Sequence, residues 1–71
     1  KLFQLRAYSK VELARLYNPD QCITIALQTL ARWIRMNPAL MAELEEVKYN
    51  KYRRVFTPKE VGIVIRHLGE P

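Results

Sequence analysis

Apolar and polar residues alternate weakly at the start of the chain. The residues that share one face of an extended backbone there are apolar, namely Phe3, Leu5 and Ala7. The residues between them are polar, which gives a period of two and predicts a short strand over residues 2–8. Beyond this point the pattern changes to the three- and four-residue spacing of helices.

A first helix is predicted by its start and stop signals. Ser9 can accept a hydrogen bond from the first-turn amides, and Glu12 can reach back to the amide of Ser9. The expected buried face consists of Leu13, Leu16 and Tyr17. Because Pro19 disfavours helical geometry at Asn18, the helix should end there.

The second helix is the longest, and it is predicted over residues 24–36. Its expected core stripe consists of Ile23, Leu27, Leu30 and Ile34, with Ala26 and Trp33 beside it. The opposite face consists of Thr24, Gln28, Arg32 and Arg35, with Thr29 adjacent. That face is polar, contains no acid and ends in two arginines, so it is a candidate binding surface.

The remainder of the chain predicts a short helix, a basic hairpin and a last helix. Asn37 and Pro38 serve as cap and first residue of the third helix, whose buried side is Leu40, Met41, Leu44 and Val47. Residues 48–54 are predicted to form a basic β-hairpin around the turn at 49–52, since Asn tolerates left-handed geometry. The last helix starts with Thr57, Pro58 and Glu60, buries Val61, Val64, Ile65 and Leu68, and ends at Gly69.

Length and cysteine content narrow the class of protein. The 71 residues predict one small domain, 1–71, that is mainly α-helical and buries a modest core. Cys22 is the sole cysteine, so no disulfide can form within the chain. We therefore expect a reducing, cytoplasmic environment and a buried or half-buried Cys22. The sequence has no leader-like segment and no long apolar run, so neither export nor membrane insertion is expected.

The charge is positive and segregated along the chain. The net charge is +5 and the pI is about 9.7. Residues 21–42 contain no acid and two arginines, and residues 47–59 contain no acid and five bases. The acids cluster between these stretches, as Glu43, Glu45 and Glu46. Such a distribution favours an acidic partner, with nucleic acid first among them.

The sequence does not contain a recognisable set of catalytic residues. There is one histidine, one cysteine, two glycines and no phosphate-binding loop or metal-ligand spacing. His67, on the last helix, is expected to be a surface or half-buried structural residue. We therefore expect neither catalysis, nor a small-molecule substrate, nor a metal or other cofactor.

The predicted order of elements fits a small winged helix-turn-helix-like domain of about four helices, with a short N-terminal strand and a basic β-hairpin. Helix 24–36 would enter the major groove of double-stranded DNA and the hairpin 48–54 would act as the wing. The helix would present Thr24, Gln28, Thr29, Arg32 and Arg35 to bases or phosphates. The hairpin would place Lys48, Tyr49, Lys51, Arg53 and Arg54 along the backbone, together with Tyr52.

The stretches VELARLY, LARWIRMNPAL and RRVFTPKEVGIVIRHLGEP resemble a small bacterial family known only as a domain of unknown function. That resemblance covers nearly the whole chain and implies no activity. More loosely, ELARLY, LARWIR and RRVFTPKEV are similar to the winged helix-turn-helix of excisionases and mercury-resistance-type regulators. This likeness implies DNA binding, although the long connection after Tyr17 and the extra helix after Pro38 depart from that pattern.

Two further hypotheses remain beside DNA binding. The separation of acids on the third helix from bases on the hairpin also suits a protein-protein interaction module, with an acidic protein partner or a second copy of the chain. RNA binding ranks below both, because the sequence offers no platform of several stacking aromatic residues.

Overall fold

The computed structural model describes residues 3–71, and these form four helices and one two-stranded sheet. The elements are β1 (Tyr8–Ser9), α1 (Lys10–Tyr17), α2 (Ile23–Arg35), α3 (Pro38–Glu46), β2 (Val55–Phe56) and α4 (Pro58–Leu68). The expected mainly helical class with about four helices is confirmed, and the helix bounds agree with the prediction to within one residue.

The helix boundaries follow from local capping chemistry. Thr57 and Glu60 form a reciprocal capping box at the start of α4, and Asn37 accepts a bond from the amide of Leu40 at the start of α3. Gly69 ends α4 with a φ of 85°, a left-handed value that glycine adopts without strain. These boundaries could be predicted because each depends on residues within one helical turn of each other.

The first predicted capping box is only half formed. Ser9 accepts a hydrogen bond from the amide of Glu12 as expected. The carboxylate of Glu12, however, receives Nη2 of Arg6 at 2.9 Å instead of returning to Ser9. The predicted reciprocal bond is therefore wrong, because an arginine that precedes the helix competes for the same carboxylate.

The sheet pairs two segments that are distant in sequence, and not two neighbouring segments. Tyr8 pairs with Phe56 and Ser9 pairs with Val55 in antiparallel register. The amide of Lys10 continues this contact by donating to the carbonyl of Arg54 at 2.8 Å. The predicted strand over residues 2–8 is therefore too long: residues 3–7 are not in a strand, and Leu2 lies outside the described residues.

The predicted β-hairpin over residues 48–54 is wrong. The described residues 47–54 contain no strand, and they run from α3 to β2 as a loop with two turns. Lys48 takes a left-handed conformation, with a φ of 60°, and the amide of Tyr49 returns to the carbonyl of Leu44. Since the chain turns back on α3 here, it offers no extended partner to β2, which pairs with β1 instead.

The core lies where α1, α2, α3 and α4 meet around Phe56. Its largest fully buried apolar side chains are Leu13, Leu40, Leu44, Phe56, Val61 and Val64. Three side chains predicted in the core, Leu16, Ile23 and Trp33, are instead exposed, and Cys22 is exposed as well. In a fold of this size each helix is covered along a narrow stripe, so the edges of an apolar face stay in solvent.

Ion pairs link α3 to α4 outside this core. Nε2 of His67 lies 2.8 Å from Glu43, which is also paired with Arg66. The hydrogen bond from His67, assisted by the positive charge of Arg66, lowers the pKa of Glu43. His67 is half-buried, in agreement with its predicted structural role.

Candidate nucleic-acid interface

The loop of residues 48–54, called here the basic loop, lies beside α2. A cleft of about 210 Å³ separates them. Its walls are Leu27, Leu30, Ala31 and Ile34 from α2, Tyr49 and Lys51 from the basic loop, and Lys10 and Phe56. The two acid-free stretches of the sequence are therefore neighbours in space.

The exposed face of α2 borders this cleft. Gln28 and Arg35 stand three residues before and four residues after Ala31, so their side chains flank it on the helix surface. Thr24, Gln28, Arg32 and Arg35 are all exposed. Neither arginine forms an ion pair with another residue of the range 3–71. Four of the five positions predicted on α2 therefore lie on one solvent-facing surface.

Thr29 is the exception on α2. Its side chain is buried, and Oγ1 donates to Oε1 of Gln21 at 3.3 Å. The prediction that Thr29 belongs to the exposed face is wrong, because Gln21, in the connection between α1 and α2, lies against its side chain. Thr29 holds this connection in place and cannot reach a nucleic acid in this conformation.

Lys10 anchors the basic loop to the start of α1. Its Nζ donates to the carbonyls of Lys51 at 2.8 Å and Asn50 at 3.3 Å. The same ammonium lies 4.7 Å from the ring centroid of Tyr49. Partial burial lowers the pKa of Lys10, and the positive charge of Arg53 lowers it further. The loop is therefore held by a desolvated cation.

Tyr49 supports the loop from within. Its ring stacks on Phe56 with centroids 5.7 Å apart and an interplanar angle of 12°. Burial raises the pKa of its hydroxyl, and the nearby carboxylate of Glu60 adds to the effect. Tyr49 is half-buried in this position, so its ring serves packing and not the solvent-facing surface.

Arg53 is paired with a buried glutamate. Its Nη2 lies 2.6 Å from Oε1 and 2.5 Å from Oε2 of Glu60, whose side chain is only 2% exposed. The hydrogen bond that Arg53 donates to Glu60 raises the pKa of Arg53. Because Glu60 compensates this charge, Arg53 contributes little to the positive surface, whatever its place in the sequence suggests.

The other bases of the loop are exposed. Lys48, Lys51 and Arg54 have no ion-pair partner among residues 3–71. Lys51 and Arg54 line a second cleft of about 410 Å³. Its other walls are Ser9, Lys10 and Val11 from the start of α1, Leu27 from α2, and Tyr52 and Arg53 from the loop. Lys48 lines neither this cleft nor the first one.

Neither of the two clefts has an acidic wall residue. Glu45 lines a different cleft together with Met41 and residues 49–52, so Lys51 and Tyr52 border both this cleft and the one of 410 Å³. The acids of α3 themselves line neither of the two clefts beside α2. A surface of this composition attracts anions, with phosphate as the anion that nucleic acids present.

Lys10 is the residue of this site that the sequence did not identify. A base in the first turn of a helix is unfavourable next to the positive end of the helix dipole, and this was the only local signal. The partners that explain it, Asn50 and Lys51, are 40 and 41 residues away.

The described residues give two further findings about the chemistry of the surface. Within the range 3–71, no three His, Cys, Asp or Glu side chains are grouped so that they could hold a metal ion. None of the helices in that range is both long enough and apolar enough to span a membrane.

These features define a small helical protein in which a basic loop is packed against a longer helix. A family model described as "Domain of unknown function (DUF4248)" matches residues 4–71. Since the match covers nearly the entire chain, the protein belongs to this family, and the expected resemblance to a domain of unknown function is confirmed to that extent. No curated protein and no solved structure matches the chain.

Proposed function

We propose that this protein is a DNA-binding module, and not an enzyme, with α2 and the basic loop as its double-stranded DNA interface. The observation that carries the proposal is the position of the loop against α2, across clefts without an acidic wall. The excisionase type that the sequence resembles also places a basic segment beside its recognition helix, although that segment is a β-hairpin there and a loop without strands here.

Within this proposal the residues divide into two roles. Gln28 and Thr24 near the start of α2 contact base edges, because short polar and amide side chains suit them. Arg32, Arg35, Lys51 and Arg54 neutralise phosphates. Arg53 and Tyr49 support the loop from inside and make no direct contact.

The test is fluorescence anisotropy of a labelled mixed-sequence duplex titrated with the protein over a series of salt concentrations. We expect the logarithm of affinity to fall linearly with the logarithm of salt. The double variant Arg35→Ala/Arg54→Ala should bind more weakly, and its salt slope should be smaller by about two, since each phosphate contact contributes roughly one.

The matched control is Arg15→Ala/Lys59→Ala, which removes the same charge from exposed positions that line neither cleft. The control variant should bind DNA only slightly more weakly than wild type, because its net positive charge is lower. If both double variants bind alike, the positive charge of the whole protein accounts for binding and the proposed surface is wrong. If wild type does not bind duplex even at low salt, the proposed function is wrong.

A second candidate function, a protein-protein interaction module, is favoured by one observation. Ile25, Trp33 and Met36 expose 43%, 36% and 74% of their surface on the side of α2 away from the basic loop. Apolar side chains exposed together on one helix face are typical of a surface that a partner covers. A stoichiometric protein partner that remains bound after nuclease treatment, and is lost in Ile25→Lys, would support this function.

A further inference from the structure

Tyr52 is displayed on the outside of the basic loop. Its side chain is 81% exposed, the highest value among the exposed apolar and aromatic residues of the described chain. A ring exposed to this extent has a face available for stacking against a ligand, with its hydroxyl free to reach water. The Nζ of Lys51 lies 5.3 Å from the ring centroid of Tyr52.

The turn that carries Tyr52 is held rigidly. The amide of Tyr52 donates to Oδ1 of Asn50 at 2.8 Å, and the amide of Arg53 donates to the carbonyl of Asn50 at 3.1 Å. Lys10 holds the carbonyls of the same turn from the other side. Because these bonds order the backbone in advance, a ligand that covers the ring loses little conformational entropy on binding.

Tyr52 also forms one wall of the 410 Å³ cleft, whose composition is mixed. Val11 and Leu27 supply apolar surface, and Lys51 and Arg54 supply exposed positive charge at the rim. The volume falls within the range of about 300 to 1,000 Å³ that small-molecule sites occupy. An apolar wall, an aromatic ring and cations around one small cleft match a flat base joined to a phosphate.

We propose that this cleft takes a single unpaired nucleotide of a DNA strand, with its base stacked on Tyr52 and its phosphate beside Lys51 and Arg54. The inference rests on the proposed DNA-binding function and adds a preference to it. DNA with an unpaired base next to the duplex that α2 contacts is bound more tightly than a continuous duplex. The stacking is tolerant of base identity, because every base has a π-face.

The combination of an exposed ring, apolar walls and cations in the cleft favours a nucleotide over an acidic peptide. A peptide carboxylate would use the cations at the rim and would leave the face of Tyr52 and the apolar walls uncovered. A nucleotide covers both at once, since its base is apolar on its faces and its phosphate is anionic. An acidic peptide is therefore the competing ligand in the test.

The experiment compares two labelled DNAs by anisotropy: a continuous duplex, and the same duplex with one unpaired nucleotide bulged from its centre. Wild type should prefer the bulged DNA by roughly five- to a hundredfold, the range that one stacked base provides. Tyr52→Ala should lose this preference and keep the affinity for continuous duplex. Tyr52→Phe, which keeps the ring, should retain the preference.

A second readout places 2-aminopurine at the unpaired position. Its fluorescence should be quenched on binding to wild type and to Tyr52→Phe, and it should remain unquenched with Tyr52→Ala. This signal reports stacking itself, so a general loss of stability cannot imitate it.

Four results would overturn the inference. Equal affinity of wild type for the two DNAs would overturn the inference and leave the proposed function intact. The same holds if Tyr52→Ala weakens the binding of both DNAs by the same factor. If an acidic peptide binds through Tyr52 and displaces DNA, and if the unpaired nucleotide does not compete with that peptide, the cleft belongs to a protein ligand. Absence of binding to either DNA would overturn the inference and the proposed function together.

Discussion

Arg53 and Glu60 form an ion pair in which one guanidinium nitrogen lies 2.6 and 2.5 Å from the two carboxylate oxygens of a 2% exposed glutamate. Glu60 also accepts the amide of Thr57 and so completes the capping box of α4. This pair connects the basic loop to the start of the last helix. A residue that the sequence assigns to a ligand surface thus has a structural role.

Replacing Arg53 should destabilise the protein more than replacing its neighbour Arg54. Arg53→Ala leaves Glu60 buried without its positive partner, and a buried carboxylate left in this way is costly. We expect a fall in Tm of roughly 10 °C, measured by circular dichroism. Arg54→Ala, at an exposed position without an ion pair among the described residues, should change Tm by no more than about 2 °C. Equal melting temperatures would contradict the structural role of Arg53.

Removing the ammonium of Lys10 should release the basic loop. In Lys10→Ala the carbonyls of Asn50 and Lys51 lose their donor, and the turn that carries Tyr52 should open more often. Amide hydrogen exchange of Tyr52 and Arg53 should accelerate roughly tenfold, as expected for the loss of a bond to a charged group.

Lys59→Ala is the matched control for Lys10, since Lys59 is an exposed lysine on α4 that does not line either cleft beside α2. Its removal should leave the exchange of the loop unchanged. If Lys10→Ala also leaves the exchange unchanged, the loop is held by its own turn and not by Lys10.

Tyr17 should make stability fall at alkaline pH. Its hydroxyl donates to the carbonyl of Gly69, and its ring meets Trp33 edge-on with centroids 6.0 Å apart. Burial, helped by the negative charge of Glu70, raises the pKa of Tyr17 to about 12 from the ordinary value of 10.0. The folded state therefore holds this proton more tightly than the unfolded state. The stability that this bound proton contributes is fully present below pH 10 and is lost as pH rises through about 12.

Urea unfolding of wild type and Tyr17→Phe at a series of pH values measures this contribution. The free energy of unfolding of wild type should fall more steeply above pH 10 than that of Tyr17→Phe. The difference between the two proteins isolates Tyr17 from other tyrosines, including Tyr49, whose pKa is raised as well. Parallel curves for the two proteins would show that Tyr17 does not titrate differently on folding.

The two glycines should respond to alanine with opposite signs. Gly69 has a φ of 85°, so Gly69→Ala strains the backbone and should cost about 1 kcal/mol. Gly62 lies inside α4, where a Cβ would meet Cδ1 of Leu5 at 3.7 Å, an ordinary contact distance. Gly62→Ala should therefore stabilise the protein by roughly 0.5 to 1 kcal/mol through helix propensity. Urea unfolding measures both, and a destabilised Gly62→Ala would mean that Leu5 cannot adjust.

The sequence by itself determined where the helices begin and end. The start of α4 could be predicted because Thr57, Pro58 and Glu60 all lie within one turn. In the same local way, Asn37 marks the start of α3 and Gly69 marks the end of α4. The periodicity of α2 separated its buried residues Leu30 and Ile34 from its exposed arginines. Local capping and helical spacing need no knowledge of the rest of the chain.

Only the tertiary structure decided which segments meet. Phe56 pairs with Tyr8 and not with a neighbouring strand, Arg53 turns inward to Glu60, and Lys10 reaches across to Lys51. The hairpin, the exposed Thr29 and the free Arg53 were mispredicted for one reason. The partner of each residue is chosen by competition among all surfaces that the folded chain brings together, and those surfaces are distant in sequence.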